Sequence, residues 1–139
     1  EVEKIYHAIV WGNFKEDSGV VNKPIGRSKK DFRRKTSLKD ATGEMREAVT
    51  EWRVLKRMGD FTFIEARPKT GRTHQIRVHM KAINHPVVGD ELYGPGRNPS
   101  GFTRPALHSY SIKFSDMDGK EISATAPYPD DFAQIAGNL

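Results

Sequence analysis

The sequence has no cysteine in 139 residues, which removes two function classes at once: a disulfide-stapled scaffold and any site built on thiolate ligands. Nothing in the composition asks for an oxidising compartment, so cytoplasmic residence is the expectation. Long apolar runs are missing too. With 36% hydrophobic and 29% charged residues the chain does not read as a membrane protein, and its seven Phe and two Trp argue against wholesale disorder. The first ten residues, Glu1 to Val10, show no initiating Met, no positive n-region and no long h-region, so they read as the inside of a domain and not as a signal peptide. There is no internal repeat and no low-complexity tract. A Gly-x-Ser-x-Gly elbow, a Walker loop and a Gly-x-Gly-x-x-Gly stretch are all absent, and with them go the hydrolase and nucleotide-binding readings.

What is present is positive charge. Twenty-three Lys and Arg against 18 Asp and Glu give +5 and an isoelectric point near 9.5, a balance that favours a polyanionic partner: RNA, DNA or acidic lipid. The excess is concentrated. Between Lys23 and Lys39 stand Lys23, Arg27, Lys29, Lys30, Arg33, Arg34, Lys35 and Lys39 against Asp31 alone, with no apolar periodicity to fold the segment onto a core. A loop or hairpin arm gripping nucleic-acid backbone is expected there, with Arg33, Arg34 and Lys35 at its centre, and a merely solvated loop is the alternative.

The length suits one folding unit. Lys4 to Trp11 alternates Tyr6, Ala8 and Val10 with Ile5, His7, Ile9 and Trp11, a strand apolar on both faces. Val20, Val21, Pro24 and Ile25 suggest a short edge strand. Ala48 to Arg57 and Phe61 to Ala66 flank Met58-Gly59-Asp60 as a β-hairpin. The period then changes. Ile76, Met80 and Ile83 predict a helix from about His74 to Asn84, with Thr73 as N-cap and His85-Pro86 as the stop. Leu107 to Phe114 alternates again, and Asp118-Gly119 offers a turn into Ile122, Ala124 and Ala126. The expected class is α+β, a mainly antiparallel sheet with flanking helices.

The densest chemistry lies in Thr70-Gly71-Arg72-Thr73-His74-Gln75-Ile76-Arg77-Val78-His79, where a glycine turn feeds a helix N-terminus carrying two arginines and two histidines. Such a terminus suits a phosphate or carboxylate, and Arg72 or Arg77 would add charge-assisted hydrogen bonds. An ordinary amphipathic helix with solvated charges fits the same residues. His74 and His79 are five apart, whereas a metal-binding pair on one helix face needs three or four, so no metal is expected.

That string, continued by Asn84-His85-Pro86-Val87-Val88-Gly89-Asp90-Glu91-Leu92-Tyr93-Gly94, resembles the signature of RluA-type pseudouridine synthases, which modify uridines in ribosomal large-subunit RNA and some tRNAs. Lys4-Ile5-Tyr6-His7-Ala8 is similar to the family's Lys-x-Tyr strand, and the likeness continues through Ala106-Leu107-His108 to Ala126-Pro127-Tyr128-Pro129-Asp130-Asp131-Phe132. It implies that residues 1–139 are part of a pseudouridine synthase catalytic fold, acting on RNA, ribosomal or transfer, with no metal, organic cofactor or membrane. By the resemblance Tyr6 is the active-site tyrosine that stacks on the base, and Arg77 is the arginine that pairs with the catalytic Asp. Arg72, Thr73, His74 and Gln75 would hold the loop or touch RNA, while Gly89, Asp90 and Tyr93 would shape the turn after the helix. One departure stands out. The family's nucleophilic Asp sits in a His-Arg-Leu-Asp motif upstream of the Lys-x-Tyr strand, and no such motif occurs here. The expectation is a catalytic domain lacking its N-terminal segment and inactive alone, with no other Asp promoted in place of the nucleophile. The competing reading is a basic RNA-binding module without catalysis; a DNA-binding domain has no recognition helix behind it.

Overall fold

The computed structural model describes residues 2–28, 35–36, 41–95 and 104–136. Its elements in chain order are β1 (Val2–Trp11), β2 (Ser18–Asn22), β3 (Ile25–Ser28), β4 (Lys35–Thr36), β5 (Ala41–Arg46), β6 (Val49–Met58), β7 (Phe61–Pro68), α1 (Gln75–Ala82), β8 (Leu107–Ser115), β9 (Glu121–Thr125) and α2 (Asp130–Ala136). Two antiparallel sheets result, one of six strands in the order β2-β6-β7-β1-β8-β9 and one of three in the order β4-β3-β5. This is the mainly antiparallel α+β architecture that the alternation patterns predict.

The doubly apolar strand sits where it must, in mid-sheet between β7 and β8. Its successive residues Ala8, Ile9 and Val10 have no exposed surface, so both faces are covered. Ile76 and Met80 of α1 join this core, as does Phe132 of α2, which meets Phe63 edge-on at 5.6 Å. Burying a side chain such as Phe63 or Phe132 contributes about 1.5–3 kcal/mol, and together these helix anchors fix both helices to the sheet.

Three local expectations are corrected, and one helix is added to them. The edge strand expected over Val20 to Ile25 is two strands: β2 borders the large sheet, and β3 opens the small one. The final strand stops at Thr125 and leaves Ala126 outside. α2 was not foreseen, although Pro129 ahead of the acidic first turn Asp130-Asp131 is a start signal. Finally, α1 begins at Gln75, not His74, and Thr73 does not cap it. The N-cap is His74 in the left-handed conformation (φ 56°), and the Gln75 side chain turns back to accept the Arg72 N–H at 3.1 Å, which satisfies a donor of the preceding turn.

The other end of α1 follows a Schellman pattern. Asn84 is left-handed (φ 67°), His85 N–H reaches Met80 O at 2.8 Å and Asn84 N–H reaches Lys81 O at 2.9 Å. Pro86 then forbids continuation. The chain is thereby turned toward β1, where Val88 N–H bonds Ile9 O at 2.9 Å, and Asp90 is delivered beside the helix.

Candidate active site

Gln75 fastens the turn between β7 and α1. Its Oε1 accepts from Thr70 Oγ1 at 2.6 Å and from Arg72 N, while its Nε2 donates to Val49 O and to Thr50 Oγ1, both at 2.9 Å. The chain of bonds continues into the core. Thr50 Oγ1 bonds His79 Nδ1 at 2.8 Å, and His79 Nε2 lies 2.8 Å from Lys23 O. A carbonyl only accepts, so Nε2 carries the proton and Nδ1 accepts from the threonine. Burial pushes the His79 pKa down; the bond to Lys23 O opposes this, but the imidazole is held neutral. His79 is therefore a structural hydrogen-bond bridge from α1 to the chain entering β3.

Two positions along the helix from Gln75, Arg77 makes a forked ion pair with Asp90: Nε donates to Oδ2 at 2.7 Å and Nη2 to Oδ1 at 2.9 Å. The Asp90 side chain is fully buried, and Oδ1 also accepts the Leu92 and Tyr93 N–H groups at 3.1 and 3.0 Å. Burial alone would raise the Asp90 pKa; the bonds from Arg77, the Tyr93 N–H, the guanidinium charge and the Leu92 N–H together outweigh it and hold the carboxyl below its ordinary value. Arg77 is correspondingly pushed up by its bonds to Asp90, against the opposing effect of its own burial. The guanidinium carbon lies 5.0 Å from the centre of the buried Tyr93 ring, whose hydroxyl is 2.7 Å from His74 Nδ1.

Arg77, Gln75 and His74, with Thr70, Gly71 and Arg72 of the turn ahead of α1, wall a cleft of about 280 Å³, completed by Lys4 and Tyr6 of β1 and Leu107 at the head of β8. Tyr6 lies beside the point where the β1–β8 register slips. Tyr93 and Tyr128 both bond histidines through their hydroxyls, whereas the Tyr6 hydroxyl has no hydrogen-bond partner among the described residues. A second groove, about 580 Å³, runs between the small sheet and the same turn. It is lined by Arg27, Arg46 and Arg72 against Glu44, and shares Gly71 and Arg72 with the cleft. Chemically, the cleft offers an unpartnered phenol and a fixed guanidinium, and the groove offers three cations within reach of a polyanion.

Tyr6, Arg77, Arg72 and His74 are thus brought to one cleft, with Thr73 in the adjoining groove. Gln75 borders the cleft but is buried, and both ends of its amide are engaged by protein groups. These bonds tie Gln75 to the loop, and contact with RNA through the amide would need one of them to break. Arg72 donates through Nε to Glu47 O at 2.7 Å and keeps its remaining nitrogens for the groove. Lys35 lies in β4, which sits against α1, while Arg33 and Arg34 lie outside the described residues. Sequence reasoning gave Asp90 only the turn and missed its pairing with Arg77; it also missed Leu107, Arg46 and the part played by Glu44. The signal for Asp90 was faint: an acid in a Gly-Asp turn near a helix that has no other acidic residue to answer its arginine.

Outside the cleft, His7 and Glu65 form a second buried polar cluster. His7 Nδ1 bonds Tyr128 OH at 2.7 Å, its ring stacks on Tyr110 at 4.0 Å, and Nε2 lies 3.6 Å from Glu65 Oε1. Glu65 Oε2 accepts from Arg53 and Arg67 at 2.9 and 3.2 Å. Neighbours in β1 point to opposite faces, so this cluster lies on the side of the sheet away from Tyr6.

A family of RNA pseudouridylate synthases matches residues 1–82. An uncharacterized RNA pseudouridine synthase of Bacillus subtilis, YlyB, is 42% identical over 139 residues, covering 99% of this chain and 44% of the relative. Ribosomal large subunit pseudouridine synthase D of Vibrio cholerae is 37% identical over 148 residues, covering 97% and 44%. The chain spans less than half the length of these curated relatives. Among solved structures, human RNA pseudouridylate synthase domain containing 1 superposes with a TM-score of 0.82 at 30% identity, over 92% of this chain and 55% of that one. Human RNA pseudouridylate synthase domain containing 4 shares the fold, with a TM-score of 0.74 at 21% identity, over 95% and 60%.

Proposed function

The chain belongs to the RNA pseudouridylate synthase family, of the RluA type, and from that premise we propose that the full-length protein isomerises specific uridines in RNA to pseudouridine. The observation that carries this reading is the single cleft joining the Tyr6 phenol to the fixed Arg77 guanidinium, with the arginine groove opening beside it. The groove suits the phosphates flanking a target nucleotide, and the cleft suits the extruded base. Flipping a uridine from its stack costs a few kcal/mol, which phosphate grips and a stacking surface offset. Tyr6 supplies that surface, and its unpartnered hydroxyl is free to exchange a proton. Arg77 orients the nucleophilic carboxylate, which by family resemblance comes from a segment outside these 139 residues. The N1–C1′ bond breaks, the uracil turns, and C5 bonds C1′; the proton lost from C5 is balanced by one gained at N1, so nothing is consumed and no redox partner is needed.

Large-subunit ribosomal RNA is the proposed target, because several relatives carry that designation in their names. The test is to map pseudouridines by mass spectrometry in ribosomal and transfer RNA from cells with and without the full-length gene. Loss of one or a few defined sites from the large-subunit RNA is expected. An unchanged map would overturn the enzymatic reading and leave a basic RNA-binding module in its place.

A further inference from the structure

Asp90 does more than close a turn. Four N–H groups converge on its fully buried carboxylate, two from the Arg77 fork and two from the backbone of Leu92 and Tyr93. The fork is side-on, through Nε and Nη2, so the opposite edge of the guanidinium, Nη1 with the second Nη2 hydrogen, is not used by Asp90. The Tyr93 ring fixes the plane from one face. Asp90 is absent from the cleft wall while Arg77 is part of it. A second carboxylate approaching from the cleft would therefore meet a guanidinium already held by its far edge.

We propose that Asp90 is a positioning residue for the isomerisation: it aims the free edge of Arg77 at the nucleophilic carboxylate and cancels the charge of that arginine, so that what reaches the nucleophile is direction with little net field. This rests on the reading that Arg77 orients the nucleophile. The charge argument has a consequence that packing alone lacks. Asp90→Asn keeps an oxygen to accept the Leu92 and Tyr93 N–H groups, but it turns an amide donor toward Arg77 and leaves the guanidinium charge uncompensated. An uncompensated cation favours the ionised nucleophile, so the acidic limb of the kcat profile moves to lower pH even as turnover falls. The other ionisable side chains on the cleft, Lys4 and Tyr6 from β1 and Arg72 and His74 ahead of α1, are the same in both proteins. The shift between variants therefore isolates one charge.

The experiment uses the full-length protein and a minimal RNA containing the mapped site. For Asp90→Asn, kcat should fall about a hundredfold, the cost of roughly 1 Å of misplacement, with KM for RNA within about twofold and the acidic limb displaced downward. Asp90→Glu restores the charge but not the reach, so its limb should return to the original position while kcat stays low. In an Arg77→Lys background, Asp90→Asn should cost little more, because both defects pass through one fork. An unchanged acidic limb in a cooperatively melting Asp90→Asn, or losses that multiply with Arg77→Lys, would overturn the proposal. If Asp90→Asn melts below assay temperature, Asp90→Glu carries the turnover comparison, alone and in the Arg77→Lys background, and wild-type turnover there overturns the proposal too. Failure of the underlying functional reading shows separately, as no pseudouridine from the unaltered protein or undiminished turnover in Arg77→Lys alone.

Discussion

Gln75 and Arg77 stand two residues apart and illustrate opposite uses of a polar side chain. The Gln75 amide is used entirely within the protein, bonding two acceptors and two donors. Gln75→Leu keeps much of the volume but strands several of these partners, at about 1–3 kcal/mol for each group left buried and unpaired. A loss of about 2–4 kcal/mol in urea denaturation is expected, and a loss under about 1 kcal/mol would show that water replaces the amide. Arg77 is instead half committed, with one edge on Asp90 and one remaining. Lysine keeps its charge but not its planar fork. Arg77→Lys in the full-length protein should therefore cut turnover about a hundredfold while RNA affinity, summed over many phosphates, changes little. Parallel assays of pseudouridine formation and RNA binding check this; a loss of binding as large as the loss of rate would make Arg77 an RNA grip.

Elements were legible where one physical signal dominated. β1 was readable because only a mid-sheet strand needs apolar residues on both faces, and the β6–β7 hairpin because Met58-Gly59-Asp60 breaks two alternating runs, with Gly59 at φ 75°. α1 was readable from Ile76 and Met80, but its first residue was not: capping statistics point to Thr73, whereas the buried Gln75 network selects His74, a tertiary decision invisible to local pattern. Of the small sheet only a hairpin arm was legible, which β3 and β4 form by pairing Gly26 with Thr36 and Arg27 with Lys35; β5 escaped for a similar reason, since it pairs with β3 across a register irregularity in a polar stretch with no alternation to read. In the site, motif resemblance singled out Tyr6 and Arg77, and only the fold could put Asp90 against Arg77. The helix end gives an element-scale prediction. Asn84 occupies the left-handed C′ position at φ 67°, which glycine adopts freely and a Cβ-bearing residue without a local polar group resists by about 1–2 kcal/mol. Asn84→Gly should leave the melting temperature nearly unchanged and Asn84→Ala should lower it; equal melting of the two would show that the Schellman turn does not set this terminus.

At the scale of the whole molecule, charge decides both partner and acid response. Arg27, Arg46 and Arg72 line one groove, so replacing all three with Gln should weaken RNA binding across sequences and reduce the salt slope by about two to three phosphate contacts; an unaltered slope would remove the groove from the RNA path. The acid response follows from buried groups. His7 and His79 are both held below the ordinary histidine pKa, burial being the leading cause, with Glu65 opposing it at His7 and the bond to Lys23 O opposing it at His79. A histidine whose folded pKa is depressed binds a proton more readily when unfolded, so stability is complete above about pH 6.5 and declines as pH falls through that value. Glu65 and Asp90 are also depressed: burial raises each, but Arg53 and Arg67 at Glu65, and Arg77 with backbone N–H groups at Asp90, outweigh it. Their contributions persist above the unfolded carboxylate value near 4 and disappear only below it, as pH falls through the folded pKa. Two acid steps are therefore expected in unfolding free energy, the histidines' first. The steps can be assigned. Protonated His7 would gain Glu65 at 3.6 Å, whereas protonated His79 would set an N–H against a threonine oxygen that already accepts from Gln75, so His79 dominates the upper step. His79→Gln should lower stability at pH 8 yet flatten its decline as pH falls below about 6.5. Urea titrations of both proteins across that range check it, and an equally steep decline in His79→Gln would transfer the upper step to His7.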